Sequence, residues 1–422
     1  MSDKILIIPI EVLYRDLDSR LLITLEAIKR KYTVLLGEHD LIRNNINEIP
    51  RGIYLDKSLA ANKETFFKNI VSQGFKLVST DEECFMSYNN TYRYLNVRHS
   101  KNNLNICDYF FASTNHEYNL LCEYYKKYKD KIILTGNPRV NIWKSKDKQF
   151  LFKNELNYIN KYDDFILIPT NFGYPHMSGN ESFLYNQAKL YGSLNTVGDE
   201  YIWKEKRKYK KSNYEAFLEL IYFLKNNLTR HKIIVRPHPA ENINEWKRIE
   251  DNNKIFVEYK YAVSPWIYRC KAMIHNSCTT GIEGYLNGIK TISYLPYTYN
   301  EDVNHISNKL SRIVHNKEEI IIALNDTINY GTVNEELVNE INIADNNYSN
   351  IMDNIDKIKL DCNFSINLKN LNNVESKMID KKMSGFNINL IIEKLKTIEK
   401  VFNFKLQTLN INKLHERLYC IT

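Results

Sequence analysis

The amino-acid sequence predicts an α/β protein built on two parallel sheets. The first observation is that short apolar runs, such as residues 4–9, alternate with stretches of helical periodicity, such as 16–32. Strands that alternate with helices form parallel sheets with right-handed connections. The second observation is that this alternation restarts at residue 164, after a lysine- and asparagine-rich segment. The third is the length of 422 residues, which favours two domains over one.

The expected strands are apolar runs bounded by polar turns. In the first half of the chain they cover residues 4–9, 33–36, 75–79, 108–112 and 131–135. In the second half they cover residues 164–169, 232–236, 254–257, 272–275 and 291–294. The main expected helices cover residues 16–32, 63–73 and a long stretch from 180 to 229. We therefore expect one Rossmann-like domain at 1–160 and a second at 161–335.

The chain changes character after residue 335, where Asn, Asp, Lys and Ile dominate. Apolar residues follow helical spacing near the end of this segment: Ile388, Ile391, Ile392, Leu395, Ile398 and Phe402. This pattern predicts an amphipathic helix. We expect a helical extension over 336–422, whose apolar face packs on the body of the protein, lies on a membrane or pairs with another subunit.

The composition excludes several classes of protein. With 43% hydrophobic and 26% charged residues, the chain is globular rather than disordered. Seven cysteines without CxxC spacing fit a reducing cytoplasm and argue against structural zinc. The run 1–11 has the pattern of a first strand, not a signal peptide, and no stretch of about 18 apolar residues predicts a membrane span. We expect a cytoplasmic protein.

Basic residues concentrate in one run, KEKRKYKK at 204–211, although the net charge of +8 is modest for this length. Three interpretations remain open for the run: a solvated helix face, contact with an anionic membrane surface, or contact with RNA. A nucleic-acid-binding protein would usually present a more focused basic face. We therefore expect no nucleic-acid partner, and peripheral association with the inner face of the cytoplasmic membrane.

Two strand ends in the second half carry residues suited to an anion. Arg236 and His238 end the run KIIVRPHP, where two prolines fix the backbone around the imidazole. His238 can donate a hydrogen bond to a phosphate oxygen, or it can simply cap the loop. Arg236 can pair with a phosphate or carboxylate, or it can anchor a neighbouring acidic residue.

The second strand end opens a helix in the run MIHNSCTTGIEG. A helix start has free N–H groups and a favourable dipole, and hydroxyl side chains add further donors. We predict that this turn binds a nucleotide phosphate through Ser277, Thr279 and Thr280. Glu283 could accept hydrogen bonds from a ribose, or could be an ordinary surface acid. Asn171 and Asn276 are weaker candidates for lining the same crevice.

Acidic residues follow two expected strands of the first half. Glu11 follows the first strand, and Asp81, Glu82 and Glu83 follow another. Both groups lie at carboxyl ends of parallel strands, where such sheets place their sites. A carboxylate there could act as general base or as nucleophile toward a sugar carbon, or the turn could be solvated. The sequence has neither GxxxxGK[ST] nor GxGxxG, which argues against a P-loop enzyme and a dinucleotide site.

Several segments together resemble the bacterial "surface carbohydrate biosynthesis protein" family. They are EVLYRDLDSRLL (11–22), GIYLDKS (52–58), STDEE (79–83), TGNPRVN (135–141), PTNFG (169–173), VRPHPAEN (235–242) with Trp246, and HNSCTTGIEG (275–284). The resemblance implies a GT-B glycosyltransferase of surface polysaccharide (capsule or lipopolysaccharide) biosynthesis, with two Rossmann-like domains facing a central cleft and C-terminal helices. It covers about residues 1–300 and not the segment beyond 335.

More distantly, the His-Pro turn and the Ser/Thr-rich helix start resemble GT-B enzymes that use CMP-activated acidic sugars, such as Kdo transferases and bacterial sialyltransferases. This resemblance implies that His238, Ser277, Thr279 and Thr280 bind the donor phosphate. By the same resemblance, Asp81 or Glu82 is a nucleophile. The partners so implied are a CMP-sugar substrate and a glycan or glycolipid acceptor, and we expect neither metal nor cofactor.

Other functions are compatible with these residues. A UDP-N-acetylglucosamine 2-epimerase-like enzyme and a glycerophosphotransferase of teichoic-acid type would use similar strand-end phosphate sites. A non-catalytic GT-B scaffold of a polysaccharide assembly complex would need none of them. Binding of CMP-, UDP- and CDP-linked compounds distinguishes these functions.

Overall fold

The computed structural model describes residues 4–81, 95, 98–173, 181–190, 194, 196–239, 241–299, 305–326, 335–341, 343–360, 371–374, 376–406 and 408–422. Its described residues form two compact units. The first takes in the chain up to Leu151 and again from Val338 to the end. The second takes in Phe152–Leu337. Each unit has its own sheet with helices, as the alternating pattern predicts.

The first unit is built on an eight-stranded sheet of order β13-β14-β2-β1-β3-β4-β5-β6. Its strands are β1 Ile5–Ile10, β2 Thr33–Glu38, β3 Ile53–Asp56, β4 Lys76–Thr80, β5 Tyr109–Ala112, β6 Ile132–Leu134, β13 Ile411–His415 and β14 Leu418–Ile421. The six strands from β2 to β6 are parallel, and in β1 every residue is buried. Strands covered by helices on both faces read as continuous apolar runs, which explains ILIIPI.

Helices cover this sheet. They are α1 Leu13–Lys29, α2 His39–Asn44, α3 Glu64–Ser72, α4 Lys101–Ile106, α5 Asn115–Tyr124, α6 Pro138–Lys144 and α7 Lys148–Leu151, followed later in the chain by α17 Asn347–Ile355, α18 Lys377–Lys382 and α19 Ile388–Val401. Short 3₁₀ helices lie at Ala61–Lys63 and Lys126–Lys131. The predicted helix at 16–32 begins earlier, at Leu13, and ends at Lys29.

The second unit has a six-stranded parallel sheet of order β12-β11-β10-β7-β8-β9. Its strands are β7 Phe165–Pro169, β8 Lys232–Arg236, β9 Ile255–Val257, β10 Ala272–His275, β11 Lys290–Tyr294 and β12 Arg312–Val314. Its helices are α8 Lys153–Ile159, α9 Glu181–Leu190, α10 Val197–Asn227, α11 Ile243–Lys247, α12 Ser264–Arg269, α13 Thr280–Leu286, α14 Ile306–Lys309 and α15 Lys317–Asn325, with a 3₁₀ turn at Asn160–Tyr162. The helix α16 Glu335–Ile341 begins in this unit and continues into the first unit after Leu337.

Both faces of the second sheet are apolar. Along β7, Ile166 and Ile168 pack into a core with Phe217 of α10. Phe165 and Leu167 pack into a second core on the opposite face. Successive side chains of a strand point to opposite faces, so one apolar strand contributes to both cores.

The boundary between the units lies earlier than residue 160. The helix α8 packs against α12, and Tyr158 and Tyr162 contact the ring of Trp266 in edge or tilted geometry. These aromatic contacts place 152–162 in the second unit. The contact division therefore falls between Leu151 and Phe152.

The C-terminal segment belongs to the first unit and is not purely helical, unlike the extension expected over 336–422. Its strand β14 pairs antiparallel with β2, and β13 pairs with β14. The hairpin covers an edge of the parallel sheet that would otherwise expose unpaired backbone groups. Gly37 of β2 permits this pairing, because a Cβ there would lie 2.6 Å from Leu418 Cδ1.

The predicted amphipathic helix exists as α19, and its apolar face is covered. Ile391, Leu395 and Ile398 have no exposed surface, and α19 packs on α1 within the same unit. Of the three interpretations of this helix, packing on the body of the protein is the one observed. No helix among the described residues is long and apolar enough to cross a membrane.

Candidate functional site

The second sheet reverses its winding between β7 and β10, which are hydrogen-bonded neighbours. From β7 the chain proceeds to β8 and β9 on one side, and from β10 to β11 and β12 on the other. Ligands of open α/β sheets bind at the carboxyl ends of strands at such a reversal. The segments that leave β8, β7 and β10 there are the ones predicted to bind the donor, with β7 lying between the other two.

His238 follows β8 and is exposed, whereas Pro237 before it is buried. The backbone N–H of His238 donates to Thr170 Oγ1, at 3.2 Å, in the segment after β7. The buried proline and this hydrogen bond fix the backbone, so the imidazole is presented on an ordered turn. The geometry agrees with the phosphate-binding role predicted for His238, which stays a prediction.

Arg236 lies at the end of β8 and is 8% exposed. Its guanidinium donates to the backbone oxygens of Lys260 (2.9 Å) and Tyr261 (2.8 Å) and lies 5.2 Å from the centre of the Trp266 ring. These contacts fasten the segment after β9 to the sheet. Arg236 therefore anchors this segment through carbonyl oxygens, and its predicted role in binding a phosphate stays a prediction.

Glu241 is a buried carboxylate that the sequence analysis did not single out. Its Oε1 accepts from the backbone N–H groups of Phe172 (2.6 Å) and Gly173 (3.0 Å). Its Oε2 accepts from Trp246 Nε1 (2.9 Å) and from the hydroxyl of Thr170. Burial raises the pKa of Glu241, and these hydrogen bonds oppose the shift. Glu241 thus joins the turn after β7 to the turn after β8.

The turn after β10 is rigid. Asn276 is 1% exposed, and its Nδ2 donates to Asn213 Oδ1 of α10 (3.2 Å) and to the Tyr294 backbone oxygen (3.0 Å). Ser277 adopts a φ of +44°, and its hydroxyl accepts from Asn308 Nδ2 at 2.9 Å. A left-handed non-glycine residue costs about 1–3 kcal/mol and persists only where its surroundings hold it.

A buried histidine lies beneath this turn. His275 Nδ1 accepts from the Cys278 N–H at 3.4 Å, and Nε2 lies 2.9 Å from Ser311 Oγ. Burial, with a smaller effect of His305, lowers the pKa of His275 to about 3. The ring is therefore neutral at ordinary pH. A Cβ at Gly281 would lie 2.5 Å from His275 Nε2, so the close packing of helix on ring requires glycine there.

The predicted donor-binding residues at the start of α13 differ in access. Thr279 precedes the helix and Thr280 begins it, and both residues are partly exposed, although the hydroxyl oxygen of Thr280 is itself buried. Glu283 is only 2% exposed, and its backbone oxygen accepts from Asn287 Nδ2 at 2.6 Å. A carboxylate so enclosed reaches a ribose only if neighbouring groups move. The roles of all three residues stay predictions.

The basic run 204–211 lies on α10 and divides into two faces. Lys204, Lys208 and Lys211 are exposed, as a solvated helix face would be. Lys210 is partly buried, and its Nζ donates to the backbone oxygen of Asn171 at 3.0 Å. One ammonium of the run therefore lies against the turn after β7, beside the predicted phosphate ligands. The backbone oxygen of Asn171, not its side chain, makes this contact.

At the carboxyl edge of the first sheet, Asp81 follows β4 and has no exposed surface. Arg98 pairs with both of its oxygens, the Nε–Oδ2 distance being 2.6 Å, and His99 Nε2 lies 3.3 Å from Oδ2. Although burial opposes ionisation, Arg98 and His99 hold the pKa of Asp81 well below its usual range. Asp81 is a stable anion in this arrangement, which makes it a weak base.

Glu117 of α5 completes this cluster. It lies 3.6 Å from His99 Nε2, and its other oxygen accepts from the Ser113 N–H at 2.7 Å. Burial lowers the pKa of His99, against the effect of Asp81. Among the described residues, Asp81, His99 and Glu117 are the set whose ligand atoms are close enough to share a metal ion. Arg98 already supplies positive charge there, so the cluster does not require one.

The other predicted catalytic acids differ from Asp81. Glu11 is 27% exposed and forms ion pairs with Lys57 and, at 3.1 Å, with Lys382 of α18. It is therefore reachable by solvent and surrounded by cations. Glu82 and Glu83 lie outside the described residues. The catalytic roles of Asp81, Glu82 and Glu11 stay predictions.

Solved structures share this fold. A UDP-GlcNAc 2-epimerase from Methanocaldococcus jannaschii, in complex with UDP-GlcNAc and UDP, aligns with a TM-score of 0.50 at 14% identity over 83% of this chain and 98% of its own. The Neisseria meningitidis enzyme bound to UDP-GlcNAc aligns with a TM-score of 0.50 at 14% identity, over 83% of this chain and 99% of its own. The Rickettsia bellii enzyme aligns with a TM-score of 0.50 at 12% identity, over 83% of this chain and 95% of its own. No family model matches the sequence, and no curated protein does.

The fold is of the GT-B type, with two Rossmann-like α/β units. The predictions of the fold class and of two separate sheets are thereby confirmed. At 12–14% identity these likenesses establish the fold alone.

Proposed function

We propose that this chain is a nucleotide-sugar-dependent glycosyltransferase of surface polysaccharide biosynthesis, and that its second unit holds the donor. The observation that carries the proposal is the convergence of three polar turns at the winding reversal of one parallel sheet. His238, Ser277 and Lys210 lie on or against these turns. The solved structures of this fold include enzymes bound to a nucleotide sugar, which supports the same class of substrate.

The donor phosphate would be bound by groups of complementary chemistry. The imidazole of His238 can donate to one phosphate oxygen, and the hydroxyls of Thr279 and Thr280 can donate to others. Lys210 adds positive charge against the same turn. The turns that carry these groups are held by hydrogen bonds, such as the one from the His238 N–H to Thr170 Oγ1, so little backbone conformational entropy is lost on binding.

The proposed reaction transfers the sugar from the nucleotide to an acceptor hydroxyl. The bond between the anomeric carbon and the phosphate oxygen breaks, and a bond to the acceptor oxygen forms. A carboxylate takes the acceptor proton if configuration inverts, or attacks the anomeric carbon first if it is retained. Asp81, Glu82 and Glu11 are the candidates, and Glu11 is the one with a partly exposed side chain among those described.

We further propose CMP as the nucleotide and a 3-deoxy-ulosonic acid, such as Kdo or a sialic-acid-like sugar, as the transferred group. The motifs in VRPHPAEN and HNSCTTGIEG support this choice through their resemblance to CMP-sugar enzymes. No metal or cofactor takes part in the proposed step. The acceptor would be a glycan or glycolipid.

A nucleotide panel tests the donor site. Calorimetry with CMP, UDP and CDP should show binding of CMP, and His238→Ala should weaken it by about 1.5–3 kcal/mol, the usual loss for a charge-assisted hydrogen bond. His116→Ala removes an equally exposed imidazole from the first unit and should change nothing. Equal affinity of the His238 variant and the parent protein would remove His238 from the site, and absence of all nucleotide binding would favour a scaffold.

A UDP-GlcNAc 2-epimerase-like activity is the second candidate. The similarity of the whole fold to such epimerases favours it. The two functions differ in their products. Incubation with UDP-GlcNAc, followed by NMR, would show inversion at C2 without nucleotide release if the chain is an epimerase. Incubation with a CMP-ulosonic acid and an acceptor would release CMP if it is a transferase.

A further inference from the structure

A basic cavity lies at the amino-terminal edge of the first sheet. Its volume is about 440 Å³. Lys76 begins β4, Tyr109 begins β5 and Lys131 directly precedes β6. The other lining residues are Asp108, Lys357, Ile358 and Lys359. Because Asp81 follows the opposite end of β4, roughly 16 Å of strand separates the cavity from the carboxyl edge.

The charges that line this cavity do not balance. Four lysines face one aspartate, Asp108, whose Oδ2 accepts from the Leu77 N–H at 2.8 Å. Within the described part of the chain, none of the four lysines lies within the 4.0 Å of a carboxylate that defines an ion pair. Ammonium groups that share one concave surface repel one another, and an anion between them would relieve that repulsion.

Two of the lysines are held in place and two are not. Lys131 Nζ donates to the backbone oxygens of Asn105 and Cys107, each at 2.7 Å. Lys357 Nζ donates to Asn354 Oδ1 at 2.9 Å. The ammonium groups of the other two, Lys76 and Lys359, donate to no group among the described residues. The cavity thus combines fixed positive charge with donors available to a ligand.

We propose that this cavity binds a compact polyvalent anion, a phosphorylated or polycarboxylated molecule of about sugar size. Its volume falls within the range of roughly 300–1,000 Å³ that small-molecule sites occupy. Phosphate and carboxylate groups both accept charge-assisted hydrogen bonds from ammonium groups. The inference does not depend on the donor site proposed for the second unit.

Titration with two probes tests the site, pyrophosphate for phosphorylated ligands and citrate for polycarboxylates. The double variant Lys76→Gln/Lys359→Gln should bind the preferred probe at least about tenfold more weakly at low salt. The double variant Lys204→Gln/Lys208→Gln loses the same charge from exposed positions of the second unit and should bind like the parent protein. Unchanged affinity of the Lys76/Lys359 variant for both probes would overturn the proposal.

Thermal unfolding gives a second, independent readout. Without an anion, the Lys76/Lys359 variant should melt at a higher temperature than the parent, because repulsion between like charges is removed. With pyrophosphate, the parent should gain more in melting temperature than the variant. A variant that melts lower than the parent but gains as much from pyrophosphate would show that the two lysines only stabilise the fold, which contradicts the proposal.

Discussion

The carboxyl edges of the two sheets collect polar residues in different ways. At the first edge, Asp81, His99 and Glu117 are at most 1% exposed, and Arg98 pairs with Asp81. At the second edge, His238, Thr279 and Thr280 are exposed or partly exposed, and the buried groups lie beneath them. The same position in two Rossmann-like units thus gives a closed charge network in one and an accessible surface in the other.

This difference shows that an acidic residue placed directly after a parallel strand need not be accessible to a ligand. A strand end brings polar groups together, because both units place their loops there. Whether these groups meet a ligand depends on access and on charge already present. Asp81 satisfies the positional criterion and is nonetheless enclosed by Arg98 and His99.

The largest change in stability is expected when Asp81, which pairs with Arg98, loses its charge. Asp81→Asn should lower the free energy of unfolding by up to about 3 kcal/mol, the lower end for a buried pair, because Arg98 would lose its partner and its side chain is 21% exposed. Urea denaturation measures this change. The double variant Asp81→Asn/Arg98→Gln removes both charges and should recover part of the loss. If Asp81→Asn is as stable as the parent but loses transfer about 10²-fold, Asp81 is catalytic rather than structural.

The next largest effect is the pH dependence of stability that His275 causes, beneath the turn after β10. The pKa of His275 is lowered from 6.5 to about 3 in the folded protein. Because the unfolded chain binds this proton more readily, the contribution of His275 is complete above about pH 6.5 and is lost as pH falls toward 3, by about 1.4 kcal/mol per unit at most. Urea titrations between pH 7 and 4 measure this.

A matched variant isolates His275 in those titrations. His275→Asn keeps a polar group but cannot titrate, so its stability should fall less steeply with decreasing pH than that of the parent. Other histidines contribute equally to both proteins and cancel in the comparison. Parallel curves for the two proteins would show that His275 titrates alike in the folded and unfolded states, which would contradict a lowered pKa in the folded protein.

A substitution of Glu241 tests whether the buried groups at the carboxyl edge of the second sheet support nucleotide binding. Glu241→Gln should weaken nucleotide binding by about 1–3 kcal/mol, because an amide cannot accept hydrogen bonds at both positions and the turn after β7 would loosen. Calorimetry with CMP measures this, and Glu245→Gln, in the adjacent helix, is the control. Nucleotide affinity equal to that of the parent would mean that the hydrogen bonds of Glu241 between the two turns are unnecessary for the site.

The smallest effect is expected for membrane association through the exposed lysines of α10. Lys204, Lys208 and Lys211 should give weak association with anionic liposomes at low salt, which high salt should abolish. Replacing all three by glutamine should lower the sedimented fraction. Replacing Lys126, Lys127 and Lys129, which are also exposed, is the charge-matched control. An equal loss in both triple variants would show net charge, not this face, to be responsible.

The α/β class and the positions of most strands could be predicted from the amino-acid pattern. Runs such as ILIIPI and KIIVR have few alternatives to a buried parallel strand, so their assignment needs no tertiary information. The strand ends that carry His238 and Ser277 followed from the same runs. The sequence also indicated that the basic run 204–211 would lie on a helix.

The enclosure of particular polar groups became evident only in the folded protein. In the sequence, Asp81 and Glu241 each follow a strand and look alike, but one is paired with Arg98 and the other clamps two turns. The C-terminal hairpin likewise joins β2 across more than 370 residues of chain. Burial and long-range pairing depend on which segments meet in space, and local periodicity carries no information about that.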